Sequence, residues 1–312
     1  MASSNDKGRA AVAVRPTTLP ILTEQLGVTV QRCEEIRVWS MSGVERLYLS
    51  NGETAILKYA AKAFANEPRI LDHASVHGVP VPVLWADLTQ DDGSTVMIME
   101  DLGPQTREAD LSDAARAAVA VHACPQPRYG SVLDSEGLAE LPTSALEWLD
   151  ALQAVGRWSE ADEFRRNLEA VDKVAGRRAS GAEIPPYGMC HSEFHPTSIH
   201  IGDDDRLTIM DWARAYTGSG LLDLVSWQGT PKPLDLDAVS DLIAVYVLAG
   251  GAREATANRG GLPAHVWAGG WDKMWVVEWF LESCCRWGDP VNDQAMMKAV
   301  SVHLAEAVEC LS

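Results

Sequence analysis

The chain has 312 residues, 46% of them hydrophobic and 22% charged, enough to bury the core of one large or two medium domains. A formal net charge of −18 argues against a nucleic-acid partner, which needs clustered Lys and Arg, and is compatible with a cationic or neutral small molecule. No apolar run approaches the ~18 residues of a membrane span, and the six cysteines are scattered without a C-x-x-C pair, so reduced thiols in a cytoplasmic protein are expected.

Residues 1–17 are small and polar, lack the apolar stretch of a signal peptide, and read as a disordered tail. Three segments rich in β-branched and apolar residues follow: Glu35–Trp39, Glu45–Leu49 and Thr54–Tyr59. Ser42-Gly43 separates the first two. Asn51-Gly52 separates the second and third and is a strong hairpin signal. A helix is expected over Ala61–Val76, stopped by His77-Gly78 with Pro80 beyond. Val83–Ala86 and Thr95–Met99 read as two more strands, and Met99–Gly103 as a hinge. Helical patterning then dominates: Leu111–Val121, Ser144–Val155, Ser159–Val174, Leu221–Gln228, Leu236–Leu248, Ala264–Cys285 and Asp293–Cys310. A β-like interruption spans Tyr187–Met210. Strands followed by helices predict an α+β chain with a small antiparallel β-sheet N-lobe carrying one helix over 18–100, and a larger helical C-lobe over 101–312.

The densest chemistry lies in His191-Ser192-Glu193-Phe194-His195-Pro196-Thr197-Ser198, followed by the strand Leu207–Met210 and then Asp211-Trp212. The Asp-rich turn Gly202–Asp205 is expected to join two short strands as a hairpin. A carboxylate near a substrate hydroxyl and another on a divalent metal are the minimum that phosphoryl transfer requires, because that chemistry is mostly positioning and charge neutralisation.

These residues carry a resemblance. The segment resembles the catalytic core of the aminoglycoside phosphotransferase family, which also holds macrolide and choline kinases and carries a loop of the form H-G-D-x-H-P-x-N followed by Ile-Asp-Trp. His191, His195, Pro196, Asp211 and Trp212 stand in register, and Gly218–Leu224 resembles the family's Gly-Asp-Pro-x-x-Asp-Leu element, with Asp223 at its structural aspartate. Ile56-Leu57-Lys58-Tyr59 resembles the strand whose lysine grips the α- and β-phosphates. Glu67 stands where the family's helix glutamate pairs with that lysine, and Met97–Gly103 resembles the purine-binding hinge. The resemblance implies a bilobal protein-kinase-like fold, with ATP or GTP as co-substrate and Mg²⁺ as cofactor. By the same resemblance His191 braces the catalytic loop and Asp211 holds the metal. Lys58 and Glu67 would bind the triphosphate together with Ser42 and Gly43 in the phosphate loop Ser40–Arg46, and Glu100 and Leu102 would lie at the hinge.

Two departures stand in this pattern. Glu193 occupies the catalytic aspartate position and Ser198 the metal-binding asparagine position. Glutamate can still orient a hydroxyl and accept its proton, and a serine hydroxyl can still reach a magnesium ion directly or through water. Similar replacements mark kinases that protect producers of capuramycin-type nucleoside antibiotics. An antibiotic-inactivating O-phosphotransferase is therefore the leading reading, with a pseudokinase binding module or a metabolic small-molecule kinase as alternatives. Trp271, Trp275 and Trp279 recur every four residues and form one helical stripe. Core packing is the preferred account, and an acceptor-stacking wall of Trp275, Trp279, Trp212 and Glu278 is the functional one. Monomer and homodimer both remain compatible with the sequence.

Overall fold

The computed structural model describes residues 19–39, 41–128, 130–230 and 232–312, so the tail expected over 1–17 lies outside the described residues. In chain order the main elements are β1 (Val30–Val38), β2 (Ser42–Leu49), β3 (Thr54–Ala60), α1 (Glu67–Val76), β4 (Leu84–Thr89), β5 (Thr95–Glu100) and α2 (Leu111–His122). Then come β6 (Val132–Leu133), α3 (Ser135–Ala154), α4 (Asp162–Arg178), β7 (Tyr187–Cys190), β8 (Ile199–Ile201), β9 (Leu207–Ile209) and β10 (Tyr216–Ser219). The chain closes with α5 (Leu221–Ser226), α6 (Leu236–Leu248), α7 (Ala264–Arg286) and α8 (Asp293–Leu311). The architecture is α+β. Compactness divides it into two units. One gathers the residues up to Ala109 with Pro127–Gly130 and Thr197–Ala215; the other holds Asp110–Gln126, Ser131–Pro196 and Tyr216–Ser312. The motif-based boundary after Glu100 thus differs from the compact units, because the β8–β9 hairpin bonds to the segment after the hinge: Thr106 donates its N–H to the Ile201 carbonyl at 2.8 Å.

The sheet unit is built on a five-stranded antiparallel sheet in the order β1-β2-β3-β5-β4. Its alternating pattern puts Leu47, Leu49, Ala55, Leu57, Tyr59, Val96 and Ile98 on one face, where they bury with Leu22. The opposite face is left to carry Lys58. The Asn51-Gly52 hairpin forms as expected, with Gly52 at φ +87°, a conformation that costs glycine nothing. The helix expected over Ala61–Val76 is split into a 3₁₀ turn, Lys62–Phe64, and α1 starting at Glu67. The cause is Pro68. It lacks an N–H and disfavours helical backbone before it, so it belongs in a first turn. That restart places Glu67 at the helix N-terminus, above the buried face of Ile70, Leu71 and Ala74.

The helical unit packs α3, α4, α7 and α8 against one another and also holds a small sheet of order β6-β10-β7. Helix α3 begins at Ser135, not at Ser144, because Asp134 caps it by accepting the Gly137 N–H at 2.8 Å. Pro142 lies inside this helix, and burial of Leu138, Leu141, Pro142 and Ala145 offsets its missing hydrogen bond. Trp267 and Trp271 of α7 are fully buried and both donate Nε1–H to the Arg178 carbonyl, at 2.6 and 3.2 Å. Trp271 is therefore a core residue.

Candidate active site

The sheet unit concentrates four charges. Lys58, in the middle of β3, is 6% exposed; its Nζ donates to Glu67 Oε1 at 2.7 Å and to Asp211 Oδ1 at 2.6 Å. Glu67 is 1% exposed, and its Oε1 also accepts the Trp212 N–H at 3.1 Å. Asp211 follows β9 at φ +67°, a left-handed conformation that aspartate adopts more readily than most residues. Arg37 on β1 reaches the second oxygen of Asp211 from 3.4 Å. Burial works against the Lys58 ammonium, yet the flanking Glu67 and Asp211 carboxylates prevail and hold its pKa above the ordinary lysine value. Burial pushes the Glu67 carboxyl up, against the pull of Lys58. A buried charge without its partner is expensive, so these groups stand as a set.

They close one end of a cavity of about 390 Å³ within the sheet unit. Ile36, Val44, Ile56, Met99, Leu102 and Met210 form its apolar walls, while Lys58, Glu67, Asp211 and Arg37 line its charged end. The hinge is fixed by its own hydrogen bonds: Arg46 Nε donates to Asp101 Oδ2 at 2.7 Å, and the Gly103 N–H donates to Asp101 Oδ1 at 3.1 Å. An apolar slot ending in convergent charges is the usual form of a cofactor or nucleotide site. A divalent metal ion also fits the charged end. Asp211 supplies a hard oxygen donor on a side chain still 31% exposed, and both its oxygens already face cationic groups.

Of the residues expected here, Lys58, Glu67, Leu102 and Asp211 all line this cavity. Ser42, Gly43, Glu100, Trp212 and Ser198 do not. Ser42 and Gly43 are strand residues, not a free phosphate loop: Gly43 is registered against Val38 in β1 and Tyr59 in β3. A Cβ at Gly43 would come within 2.2 Å of the Tyr59 ring, so the glycine is there for close packing. Ser40 lies outside the described residues. Glu100 is held by Arg206 through a 3.1 Å ion pair and is not among the lining residues. Trp212 is fully buried with Nε1–H on the Ile209 carbonyl at 2.8 Å; it is core, not part of an acceptor wall. Ser198 sits in a 3₁₀ turn at 2% exposure, with its carbonyl accepting the Met210 N–H at 2.8 Å, and its neighbour Thr197 lines the cavity.

In the helical unit, the loop after β7 is held from below by Asp223. This fully buried aspartate accepts the His191 N–H at 2.7 Å and the Ser192 N–H at 2.9 Å, with His122 Nε2 at 3.3 Å. Ser192 takes φ +83°, and its carbonyl accepts from Ser226 Oγ at 3.0 Å. Phe194 is fully buried between the rings of His191 and Trp227. Glu193 is thus a half-buried carboxylate on a loop fixed on both sides. On α7, Trp275 meets the Tyr216 ring edge-on at 4.5 Å, Glu278 accepts the Trp148 Nε1–H at 2.8 Å, and Trp279 packs against Trp287 at 5.8 Å. Trp275 and Trp279 remain half exposed.

Arg37, the Arg46–Asp101 bond and the His122–Asp223 contact had no place in the sequence reading. Arg37 and Arg46 are isolated basic residues within ordinary strand segments, and His122 is a lone histidine at a helix end.

Solved structures share this fold. The choline kinase LicA from Streptococcus pneumoniae superposes with a TM-score of 0.64 at 12% identity, covering 93% of this chain and 99% of that one. A thermostable mutant of the aminoglycoside phosphotransferase APH(4)-Ia, in a ternary complex with AMP-PNP and hygromycin B, gives 0.57 at 13% identity over 94% and 98%. The ADP-bound aminoglycoside phosphotransferase APH(2'')-Ib gives 0.57 at 12% over 94% and 97%. The fold is kinase-like. No curated protein matches the sequence. The profile of the phosphotransferase enzyme family, APH, matches residues 41–255, well over half of the chain. The chain belongs to that family and is a phosphotransferase.

Proposed function

We propose that this protein moves the γ-phosphate of ATP or GTP to a hydroxyl of a small molecule, and that the acceptor is an antibiotic inactivated by the transfer. The observation that carries the donor half is the buried Lys58–Glu67–Asp211 set at the end of an apolar slot. The walls at Ile36, Val44, Ile56 and Met99 accept a purine, and backbone groups of the hinge near Leu102 reach its edge. Lys58, kept charged by its two carboxylates, binds the α- and β-phosphates. Asp211, with Ser198 from the adjacent turn, would hold Mg²⁺, which would supply neutralisation of phosphate charge. Glu193, presented by the loop that Asp223 fixes, orients the acceptor hydroxyl and takes its proton. Trp275, Trp279 and Glu278 supply half-exposed aromatic and acidic surface for an acceptor. The acidic surface suits a neutral or cationic one, and the Glu193 and Ser198 replacements favour a nucleoside antibiotic of the capuramycin type.

The test is a labelled γ-phosphate transfer assay with ATP and with GTP against nucleoside antibiotics, aminoglycosides, choline and sugars, scored by kcat/KM. One antibiotic class is expected to dominate, and Glu193→Gln is expected to lower transfer by about 100-fold or more while nucleotide binding persists. A primary metabolite that outcompetes every antibiotic would make this a metabolic kinase. No transfer to any hydroxyl, with the variant binding nucleotide as well as wild type, would leave a binding module that retains the fold without turnover.

A further inference from the structure

Arg37 is a cation at the charged end of the cavity that neither the motif nor the preceding roles account for. Its position comes from an irregularity in β1. Glu35 is registered against Glu45 of β2, but Arg37 is registered against Val44, so two residues of β1 advance against one of β2. Such a bulge breaks the alternation of side chains and re-aims one of them. In a regular strand Ile36 and Arg37 would point to opposite faces; here both line the same cavity.

The two cations at Asp211 differ in kind. Lys58 is buried and bound to two carboxylates, so it is fixed. Arg37 has a side chain 61% exposed and, among the described residues, a 3.4 Å contact to Asp211 Oδ2. An ion pair that open to solvent holds the guanidinium weakly and is exchanged at little cost. The charge set of Lys58 and Arg37 against Glu67 and Asp211 balances without a ligand. A metal ion taken up by Asp211 would leave the guanidinium unbalanced, beside the place where a triphosphate ends.

The geometry points to Arg37 as a phosphate-binding residue that moves from Asp211 to the terminal phosphate of the bound triphosphate. The planar fork of arginine suits two oxygens of one phosphate. This rests on the proposed nucleotide donor, and the two can fail separately. The experiment is calorimetric titration of wild type, Arg37→Met and Arg37→Lys with AMP-PNP and with ADP, all with Mg²⁺. Arg37→Met is expected to weaken AMP-PNP about tenfold more than ADP, and Arg37→Lys to fall between it and wild type. Retained ADP binding shows that the variants are folded. Unchanged AMP-PNP affinity, or an equal loss for both nucleotides, overturns the inference and leaves the donor reading standing. Tighter binding of both by Arg37→Met overturns it as well, since Arg37 would then only obstruct Asp211. A wild type that binds neither nucleotide overturns both.

Discussion

Replacing Lys58 by methionine keeps an unbranched stem in β3 and removes the ammonium shared by two carboxylates. The side chain of Asp211 is 31% exposed and can be rehydrated, but that of Glu67 is 2% exposed and cannot. Removing one partner of a buried pair costs about 3–5 kcal/mol, because the survivor is left charged and dry. Glu67 has one escape, which is to take up a proton. Burial already pushes its carboxyl up, and loss of Lys58 removes the main opposing pull. A carboxyl whose folded pKa lies above its unfolded value binds its proton more tightly in the folded state. The penalty is therefore absent below the unfolded value, about 4.3, and grows as pH rises toward the folded value. The expected loss in Lys58→Met is about 3–5 kcal/mol at pH 8 and ~1 kcal/mol at pH 5, the latter being about 0.7 pH unit above the unfolded value at 1.36 kcal/mol per unit. Urea unfolding of wild type and variant at the two pH values, followed by tryptophan fluorescence, measures both. Adding Glu67→Gln, which keeps an oxygen for the Trp212 N–H, should restore most of the pH 8 loss. A loss that is the same at both pH values, or below about 1 kcal/mol at pH 8, refutes the reasoning.

Asp211→Asn should keep the fold, since asparagine tolerates φ +67°, and lower phosphate transfer by roughly 100-fold or more; Asp211→Ala should in addition lose about 1–2 kcal/mol in thermal unfolding. Asp223→Ala leaves the N–H groups of His191 and Ser192 without their acceptor, at about 1–3 kcal/mol each, which urea unfolding will register together with a fall in kcat. The hydrogen bond from Arg157 holds the Asp293 carboxyl below the usual aspartate range. A depressed carboxyl stabilises above its unfolded pKa, so Asp293→Asn should cost about 1–2 kcal/mol at neutral pH, with the difference from wild type vanishing as pH falls through the lower folded value in an acid-unfolding series.

Lys58 and Glu67 were legible through the resemblance of their segments to the family's strand and helix, and Asp211 also because an acid directly after an apolar strand is costly unless it is used. The Asn51-Gly52 hairpin and the β8–β9 pair were legible for local reasons. Helix starts were not. Pro68 splits one expected helix, and Pro142 concealed the first turns of another, because the burial that tolerates a proline is a tertiary property. Ser42-Gly43 reads as a turn, yet Gly43 serves the Tyr59 ring pressed against it from the neighbouring strand. Trp212 follows an acid and so reads as a site residue, but only three-dimensional packing decides whether an indole faces a cavity or a core. Arg37 carried no signal, because a bulge is a shift of register and register belongs to pairs of strands.

A single oxygen, Glu67 Oε1, terminates both the Lys58 ammonium and the Trp212 amide. Helix α1 therefore cannot slide without loosening the lysine and the aspartate turn together. Substitutions on its buried side, at Ile70 or Leu71, should scale donor affinity and turnover in step, while retuning of base preference is open at the walls, among them Ile36, Ile56 and Met99, which take no part in that joint.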